Sequence, residues 1–212
     1  MEILNELSQF LQKGRLPKVK ELVNQALEQG IDAKTILEDG LLAGMNVIGE
    51  KFKNNEVFVP EVLIAARAMN GGAEILKPHL VEAGVESKGT VVLGTIKGDL
   101  HDIGKNLVKM MMEGKGLTVI DLGVDVSPEQ YIEAAREHNA QIIACSALLT
   151  TTMTEMKNVV DQVKASDLNG KVKIMIGGAP VTQSFCESIG ADRYTPDAAS
   201  AADAALELCI SA

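Results

Sequence analysis

Thr90–Gly104 reads TVVLGTIKGDLHDIG, and this stretch decides the fold. Its first seven residues, Thr90–Ile96, are almost all apolar or β-branched and predict a buried strand, and a helical pattern begins at about Gly104. The polar residues between them therefore lie on a loop that leaves the carboxyl end of a strand. In open α/β sheets, ligands bind at that edge.

Asp99 and His101 give this loop its chemical interest. A carboxylate two residues before a His can accept the proton of one ring nitrogen, which fixes the tautomer and leaves the other nitrogen free to bind a metal. Gly98 suits a turn and Gly104 permits a close approach of the backbone. The plain alternatives are a solvated loop His, an Asp that serves a turn or a cap, and glycines that serve turns alone. The loop by itself leaves both interpretations open.

Beyond about Gly84, apolar runs alternate with helical patterns, which predicts a parallel sheet covered on both faces. The other strands are predicted at Thr118–Leu122, Gln141–Cys145, Val172–Ile176 and, as a short strand, Asp192–Tyr194. The helices are predicted at Gly104–Gly114, Pro128–Glu137, Thr152–Ala165, Thr182–Ile189 and Asp197–Ser211. Five strands and five helices suit the flavodoxin-like (Rossmann-like) strand order.

The first ~80 residues predict a four-helix bundle. The helices run from about Glu2 to Lys13, from Pro17 to Gly30, from an N-cap at Asp32, and from near Pro60. Apolar stripes in the last two helices comprise Leu37, Leu41, Gly44, Ile48 and Phe52, and Val62, Ala66, Met69, Ala73 and Leu76. The polar stretch VESKG then reads as a linker. The fold class is therefore α/β, with a helical cap at 1–84, a linker at 85–89 and an α/β domain at 90–212.

Composition excludes several functions. A net charge of −9 argues against nucleic acid as a partner. No apolar run reaches the ~20 residues that span a membrane. The N-terminal residues show no signal-peptide pattern, so we expect a cytoplasmic location. The three cysteines form no C-x-x-C pair, which fits a reducing compartment without structural zinc.

Three motifs in order resemble those of cobalamin-binding domains. Asp99–Gly104 (DLHDIG) resembles the D-x-H-x-x-G signature, and Ser146–Leu148 (SAL) and Gly177–Gly178 (GG) each follow a predicted strand. Nearly the whole chain, including its helical third, resembles the corrinoid proteins of methyltransferase systems that demethylate methanol, methylamines or betaines. It is also similar to the cobalamin-binding region of methionine synthase.

The resemblance implies a role for each motif. His101 would be the lower axial ligand of cobalt, in place of the cofactor's own benzimidazole, and Asp99 would modulate it. Ile103 and Gly104 complete the signature, whereas Asp102 has no matching role and reads as a surface or capping residue. The second motif would line the pocket of the displaced nucleotide arm, with Ser146, Leu148 and Thr150. Gly177 and Gly178 would make room for that arm, although a structural turn is the alternative.

Two further segments match less directly. Thr152 aligns with a Ser that extends the His–Asp pair into a relay in methionine synthase. One Thr of Thr150–Thr152 also reads as a helix cap. In the helical third, the segment GEKFKNNEVFVPEVL resembles the part that covers the upper face of the corrin. The residues expected there are Phe52, Val59, Val62 and Leu63, with ordinary bundle core as the alternative. His79 and His138 are expected at the surface, and Cys145 in the core.

The function implied is that of a methyl carrier. Cobalt of bound cobalamin, which is methylcobalamin when loaded, would accept a methyl group from a substrate-specific methyltransferase. A second methyltransferase would deliver the methyl group to a folate or thiol. A reductive activating protein would restore the cofactor. The chain would be a non-autonomous subunit without a substrate site of its own. The alternatives are a cobalamin-dependent sensor, disfavoured by the acidic charge, and the small subunit of an adenosylcobalamin mutase, disfavoured by the helical cap.

Overall fold

The structure, a computed structural model, describes residues 2–210, which divide into two compact units. The first unit runs to Ser87 and includes Gly114–Gly116. The second holds Lys88–Glu113 and the described residues from Leu117 onward. None of the described helices is both long and apolar enough to cross a membrane.

The first unit is entirely helical, as the apolar stripes predict. Its segments are α1 Glu2–Gln12, α2 Leu16–Glu28, α3 Ala33–Thr35, a π-helix Ile36–Leu42, α4 Ala43–Lys53 and α5 Val59–Glu82. Asp32 caps α3 as expected, because its carboxylate accepts a 2.9 Å hydrogen bond from the Thr35 amide. Gly44 permits a close backbone approach, since a Cβ there would lie 3.0 Å from the Ser8 carbonyl oxygen.

The π-helix is the main departure from the predicted bundle. The sequence pattern predicts one continuous α-helix from Asp32, but residues 36–42 take the wider i→i+5 winding. The extra residue per turn rotates the side chains relative to an α-helix. Ile36, Leu41 and Leu42 are consequently buried, while Leu37, expected in the buried stripe, is only half-buried.

The second unit contains a five-stranded parallel sheet in the order β2-β1-β3-β4-β5, which confirms the flavodoxin-like prediction. The strands are β1 Thr90–Thr95, β2 Thr118–Asp121, β3 Ile142–Ser146, β4 Lys173–Gly177 and β5 Arg193–Tyr194. The helices are α6 Ile103–Glu113, α7 Pro128–Glu137, α8 Thr154–Ala165, α9 Gln183–Ile189 and α10 Ala198–Ile210.

The two faces of the sheet carry different residues. One core packs β1, β3 and β4 against α7, α8 and α9, and Tyr131 is its largest fully buried side chain. A Cβ at Gly94 would lie 2.7 Å from the Tyr131 hydroxyl, so the missing side chain makes room for the ring. On the opposite face, α6 and α10 pack against each other and contact the strands. That face presents small residues toward the carboxyl edge of the sheet.

Candidate functional site

The loop after β1 begins with a tight turn. The Asp99 amide donates to the Ile96 carbonyl at 3.1 Å, and Gly98 has φ +81° at the third position of this turn. A type II turn needs a positive φ there, which explains the glycine. The Gly98 amide donates to Asp125 Oδ1 at 2.7 Å, and the Asp125 amide donates to the Asp99 carbonyl at 3.1 Å. The loop after β2 therefore holds the loop after β1.

Asp99 is fully buried and is surrounded by hydrogen-bond donors. Oδ1 accepts from the His101 amide at 3.1 Å and lies 2.9 Å from Nδ1 of the same residue. Oδ2 accepts from the Leu148 amide at 2.8 Å, the Leu149 amide at 3.0 Å and the Thr152 hydroxyl at 3.2 Å. Burial alone would raise the pKa of Asp99, but the amide and ring donors hold the pKa well below its usual range. Asp99 is therefore a fixed anion.

His101 is held by its backbone and by one ring nitrogen, while 53% of its side chain stays exposed. Because Asp99 is ionised, Nδ1 carries the proton and donates it to Oδ1. In the neutral ring the lone pair is then on Nε2, for which the described residues offer no hydrogen-bond partner. The His101 carbonyl accepts a 2.8 Å hydrogen bond from the Thr95 hydroxyl. This arrangement leaves Nε2 without a partner on a half-exposed ring.

Exposed apolar side chains lie on the same edge of the sheet. Leu100 is 72% and Ile103 78% exposed, although both flank His101 in the sequence. Val124 follows β2, and Leu148 and Leu149 follow β3, and all three are exposed as well. Contiguous exposed apolar surface marks a ligand or partner site. Gly104 has no atom within 4 Å of the position a Cβ would take, so a ligand can approach its backbone closely.

A row of small or hydroxylic residues crosses the carboxyl edge. The strand register pairs Thr95 with Ser146 and Ser146 with Gly177, so the three lie side by side on one face. The Ser146 hydroxyl has no hydrogen-bond partner within the described part of the chain. Helix α10 covers the same face and buries only alanines there: Ala198, Ala199, Ala201, Ala202, Ala204 and Ala205. The small side chains suit a slot for a slender group.

The two glycines after β4 differ in their surroundings. Gly178 has φ +131°, and a Cβ there would overlap the Ala147 carbonyl oxygen. The contact between the loops after β3 and β4 therefore requires Gly178. A Cβ at Gly177 would lie 3.6 Å from the Thr195 carbonyl oxygen, an ordinary contact. Local packing therefore explains the glycine at position 178, whereas no contact in the described structure requires a glycine at position 177.

The other predicted residues near the loop have local partners. Asp102 is exposed, as a surface residue would be; its carbonyl accepts from the Asn106 amide at 2.7 Å, and its carboxylate accepts from the Asn106 side-chain amide at 3.1 Å. Thr150 is exposed. The predicted Thr cap of α8 is wrong, because α8 begins only at Thr154 and its N-cap residue is Met153. The Thr152 hydroxyl faces Asp99 and the Leu149 carbonyl instead.

The predicted residues of the helical unit differ in exposure. Phe52 and Val59 are half-buried, Val62 is fully buried, and Leu63 is 40% exposed. Phe58, which was not predicted, is 64% exposed at the N-cap of α5. Val62 thus belongs to the bundle core, whereas its neighbour Leu63 faces outward.

Sequence reasoning missed a buried charged group beside the site. Lys105, in the first turn of α6, is 2% exposed, and its ammonium lies 2.6 Å from Asp121 Oδ1 and 2.8 Å from Asn106 Oδ1. Burial would raise the pKa of Asp121, but the Lys105 ammonium lowers it below the usual range. A Lys that the helical pattern places on the core face, together with an Asp at the end of β2, was the available signal.

The residues at the carboxyl edge of the sheet favour one class of ligand, a macrocycle that contains a metal. Within residues 2–210, no three His, Cys, Asp or Glu side chains come together to hold a metal ion. A metal bound by His101 would therefore bring its other ligands with it, as a metal in a macrocycle does. The exposed apolar residues suit a flat macrocycle, and the row from Thr95 to Gly177 suits a slender attached arm.

Comparisons with known proteins agree with this geometry. Two family models, each described as a B12 binding domain, match residues 3–77 and 89–206. The chain is 46% identical to trimethylamine corrinoid protein 1 of Methanosarcina mazei over 82% of each chain. It is 40% identical to dimethylamine corrinoid protein 1 of the same organism, over 99% of this chain and 97% of the other. The methanol:cobalamin methyltransferase complex MtaBC from Methanosarcina barkeri contains a chain of similar structure. The TM-score is 0.89 at 31% identity, and the match covers 100% of this chain and 81% of that one.

Proposed function

Because the chain belongs to the family of B12 binding domains, we propose that it is a corrinoid protein that carries methyl groups in a methyltransferase system. Bound cobalamin supplies a cobalt centre that accepts and releases a methyl group, since its most reduced state is a strong nucleophile. The chain supplies ligation, orientation and exclusion of water. The observation that carries the proposal is the exposed Nε2 of His101, whose ring is held at Nδ1 by a buried carboxylate and is set among exposed apolar side chains.

His101 would bind cobalt through Nε2, and Asp99 would keep the proton on Nδ1 at every stage. The carboxylate accepts from the His101 amide on its own loop and from the Leu148 and Leu149 amides on the loop after β3, so it can rotate very little. A fixed carboxylate fixes the ring that it holds. The strength of His101 as a ligand would then be set by the protein rather than by solvent.

The corrin would rest on the exposed apolar residues around His101, and the nucleotide arm would enter the row of small residues. Ser146 would donate its unpartnered hydroxyl to that arm. Gly177 would give the arm room, because nothing in the described structure requires a glycine there. Leu148 contributes both an amide to Asp99 and an exposed side chain to the corrin.

We also propose the division into a helical cap at 1–84, a linker at 85–89 and a cofactor domain at 90–212. Phe52, Val59, Val62 and Leu63 would shield the transferred methyl group from water. Leu63 would do so by direct contact and Val62 by supporting the bundle, in keeping with their exposures. The linker would let the cap move aside at each transfer.

For the partners, we propose a methyltransferase that demethylates a methylated amine, since two relatives are named for trimethylamine and dimethylamine. A second methyltransferase would pass the methyl group to a folate or thiol, and a reductive activating protein would restore the cofactor. Pairing the chain with its co-purified methyltransferase and a panel of methylamines and methanol tests the donor. Methyl transfer from methanol alone would contradict an amine donor.

The ligand assignment is tested by electron paramagnetic resonance of the cobalt(II) form, reconstituted with cobalamin in protein labelled with heavy nitrogen. A protein nitrogen on cobalt changes the axial splitting from a triplet to a doublet. His101→Ala should abolish the doublet, whereas His79→Ala and His138→Ala, at exposed positions, should retain it. A triplet in the wild-type protein would mean that the cofactor's own base stays bound, and it would contradict the proposal.

A further inference from the structure

The Thr95 hydroxyl makes a buried hydrogen bond that neither the sheet nor the proposed ligation by itself requires. Thr95 is the last residue of β1 and is fully buried. Its amide donates to the Gly123 carbonyl at 3.0 Å and its carbonyl accepts from the Val126 amide at 2.9 Å. Both backbone hydrogen-bonding groups of Thr95 are therefore used in bonds to the segment after β2. Its hydroxyl is free to act elsewhere, and it donates to the His101 carbonyl at 2.8 Å.

A hydroxyl at this position has an energetic cost that only this bond offsets. The neighbouring strand residues Leu93, Gly94 and Ile96 are buried and apolar. A Val would fill the same volume without a polar atom. A buried hydroxyl without a partner is unfavourable, so the contact with the His101 carbonyl is what makes Thr compatible with the site.

The bond completes the restraint of His101. Asp99 holds the amide and the ring Nδ1 of His101, both through the same carboxylate oxygen. Those two bonds alone leave the residue able to rock about that oxygen. The carbonyl, on the other side of the Cα atom, is held from the sheet by Thr95. Three points of attachment fix the backbone on which the direction of the ring depends.

We propose that Thr95 is a positioning residue that orients His101 for ligation, by holding its carbonyl while Asp99 holds its ring. The inference rests on the proposed function, in which Nε2 of His101 is the cobalt ligand. Thr95 would affect ligation through His101 and would contact neither the metal nor the methyl group, although it also lies in the row that we propose for the nucleotide arm. The ligand bond needs Nε2 to point along one direction, and rocking of the loop would spread that direction.

The test compares two pairs of side chains that differ in the hydroxyl. Thr95→Val removes the hydroxyl at nearly constant shape. Thr95→Ser keeps the hydroxyl and Thr95→Ala lacks it, so these two variants make the same comparison at a smaller side-chain volume. Each protein, labelled with heavy nitrogen, is reconstituted with cobalamin and reduced to cobalt(II). We expect wild type and Thr95→Ser to show the nitrogen doublet, and Thr95→Val and Thr95→Ala to lose or broaden it. Cobalamin affinity should fall about tenfold, as the loss of one buried hydrogen bond implies.

The outcomes separate this inference from the proposed function. If the Thr95→Val variant shows the same nitrogen doublet as the wild-type protein, the inference is overturned, whatever the effect of the substitution on folding stability. Thr95→Ser that behaves like Thr95→Ala would overturn it as well, because the methyl group rather than the hydroxyl would then matter. A wild-type protein without the doublet would overturn the proposed function and the inference together. If Thr95→Val does not fold, the Ser and Ala variants give the same comparison.

Discussion

The Leu148 amide donates a 2.8 Å hydrogen bond to Oδ2 of Asp99, a residue 49 positions earlier in the chain. This bond joins the loop after β1 to the loop after β3 at the carboxyl edge of the sheet. Oδ1 of the same carboxylate holds His101. One carboxylate oxygen of Asp99 thus joins the two loops, and the other holds the imidazole ring that we propose as the metal ligand.

Asp99→Asn should disrupt one of these two functions. An amide has a single oxygen, so its NH₂ group must face either the Leu148 and Leu149 amides or the protonated Nδ1 of His101, all of them donors. We expect a loss of about 2 kcal/mol in the free energy of unfolding and a shift of the His101 proton toward Nε2. Nitrogen NMR of His-labelled protein without cofactor reports the tautomer, with His79 and His138 as exposed controls. A variant that keeps both the wild-type stability and a protonated Nδ1 would contradict this account of Asp99.

Thr152→Val should affect stability more than ligation. The hydroxyl has one proton and two acceptors, the Leu149 carbonyl at 2.9 Å and Asp99 Oδ2 at 3.2 Å, and the shorter contact favours the carbonyl. Asp99 retains its amide donors without it. We expect a loss of about 1 kcal/mol in urea unfolding and an unchanged cobalt(II) doublet. Loss of the doublet would instead make Thr152 part of the His101–Asp99 unit, and Thr152→Ser is the control that keeps the hydroxyl.

The sequence predicted the second unit better than the first, for physical reasons. Buried parallel strands read as apolar runs, so β1 to β5 were predicted within two residues at each end. The π-helix Ile36–Leu42 could not be predicted, because its extra residue per turn is set by packing within the bundle and not by local propensity. The cap of α8 was misplaced because the Thr152 hydroxyl faces the Leu149 carbonyl and Asp99 rather than an amide of α8.

In the site as well, features set by nearby residues were predicted from the sequence, and features set by distant residues were not. Asp99 and His101 are two residues apart and predict each other's role through their spacing. The amides of Leu148 and Leu149 that fix Asp99 come from another strand and carry no sequence signal, since any residue has an amide. Thr95 had a weak signal, a single hydroxyl at the end of an apolar run, which strand propensity alone also explains.

Removing the Asp121 carboxylate should destabilise the protein strongly. Asp121→Asn would leave the Lys105 ammonium, 2% exposed, without a counter-charge beside it. We expect a loss of about 3 kcal/mol, because breaking a buried ion pair leaves an uncompensated charge. Lys105→Met with Asp121→Asn should recover part of the loss, since the pair is then replaced together. A double variant less stable than Asp121→Asn, by urea unfolding, would contradict this assignment.

The Cys145 thiol should make stability fall at alkaline pH. Burial raises the pKa of Cys145 from an ordinary value of 9.0 to about 12, with a smaller opposing contribution from the Tyr131 hydroxyl. Between these values the unfolded chain loses its thiol proton while the folded chain keeps it, so stability declines as the pH rises. From pH 9 to 10.5 the decline due to this thiol is about 1.6 kcal/mol. Cys145→Ala should show a shallower decline in urea unfolding over this range, and parallel declines would contradict the prediction.

Gly178→Ala should impair folding, whereas Gly177→Ala should leave folding intact and impair cofactor binding. A Cβ at Gly178 would overlap the Ala147 carbonyl oxygen at a φ of +131°, so Gly178→Ala should lose about 3 kcal/mol of stability even without cofactor. A Cβ at Gly177 would meet only the Thr195 carbonyl oxygen at 3.6 Å, so Gly177→Ala should unfold as the wild type does. Its methyl group would instead occupy the slot beside Ser146 and weaken cobalamin binding.

Cobinamide, which lacks the nucleotide arm, separates these two effects. Gly177→Ala should bind cobinamide as tightly as the wild-type protein does and cobalamin at least tenfold more weakly, because only the arm needs the slot. Isothermal titration with both ligands, beside urea unfolding of the protein without cofactor, makes the comparison. Equal weakening of both ligands would mean that the added methyl group disturbs the His101 loop rather than the slot. Unchanged cobalamin binding would place the nucleotide arm away from Gly177 and would remove the row from Thr95 to Gly177 as its site.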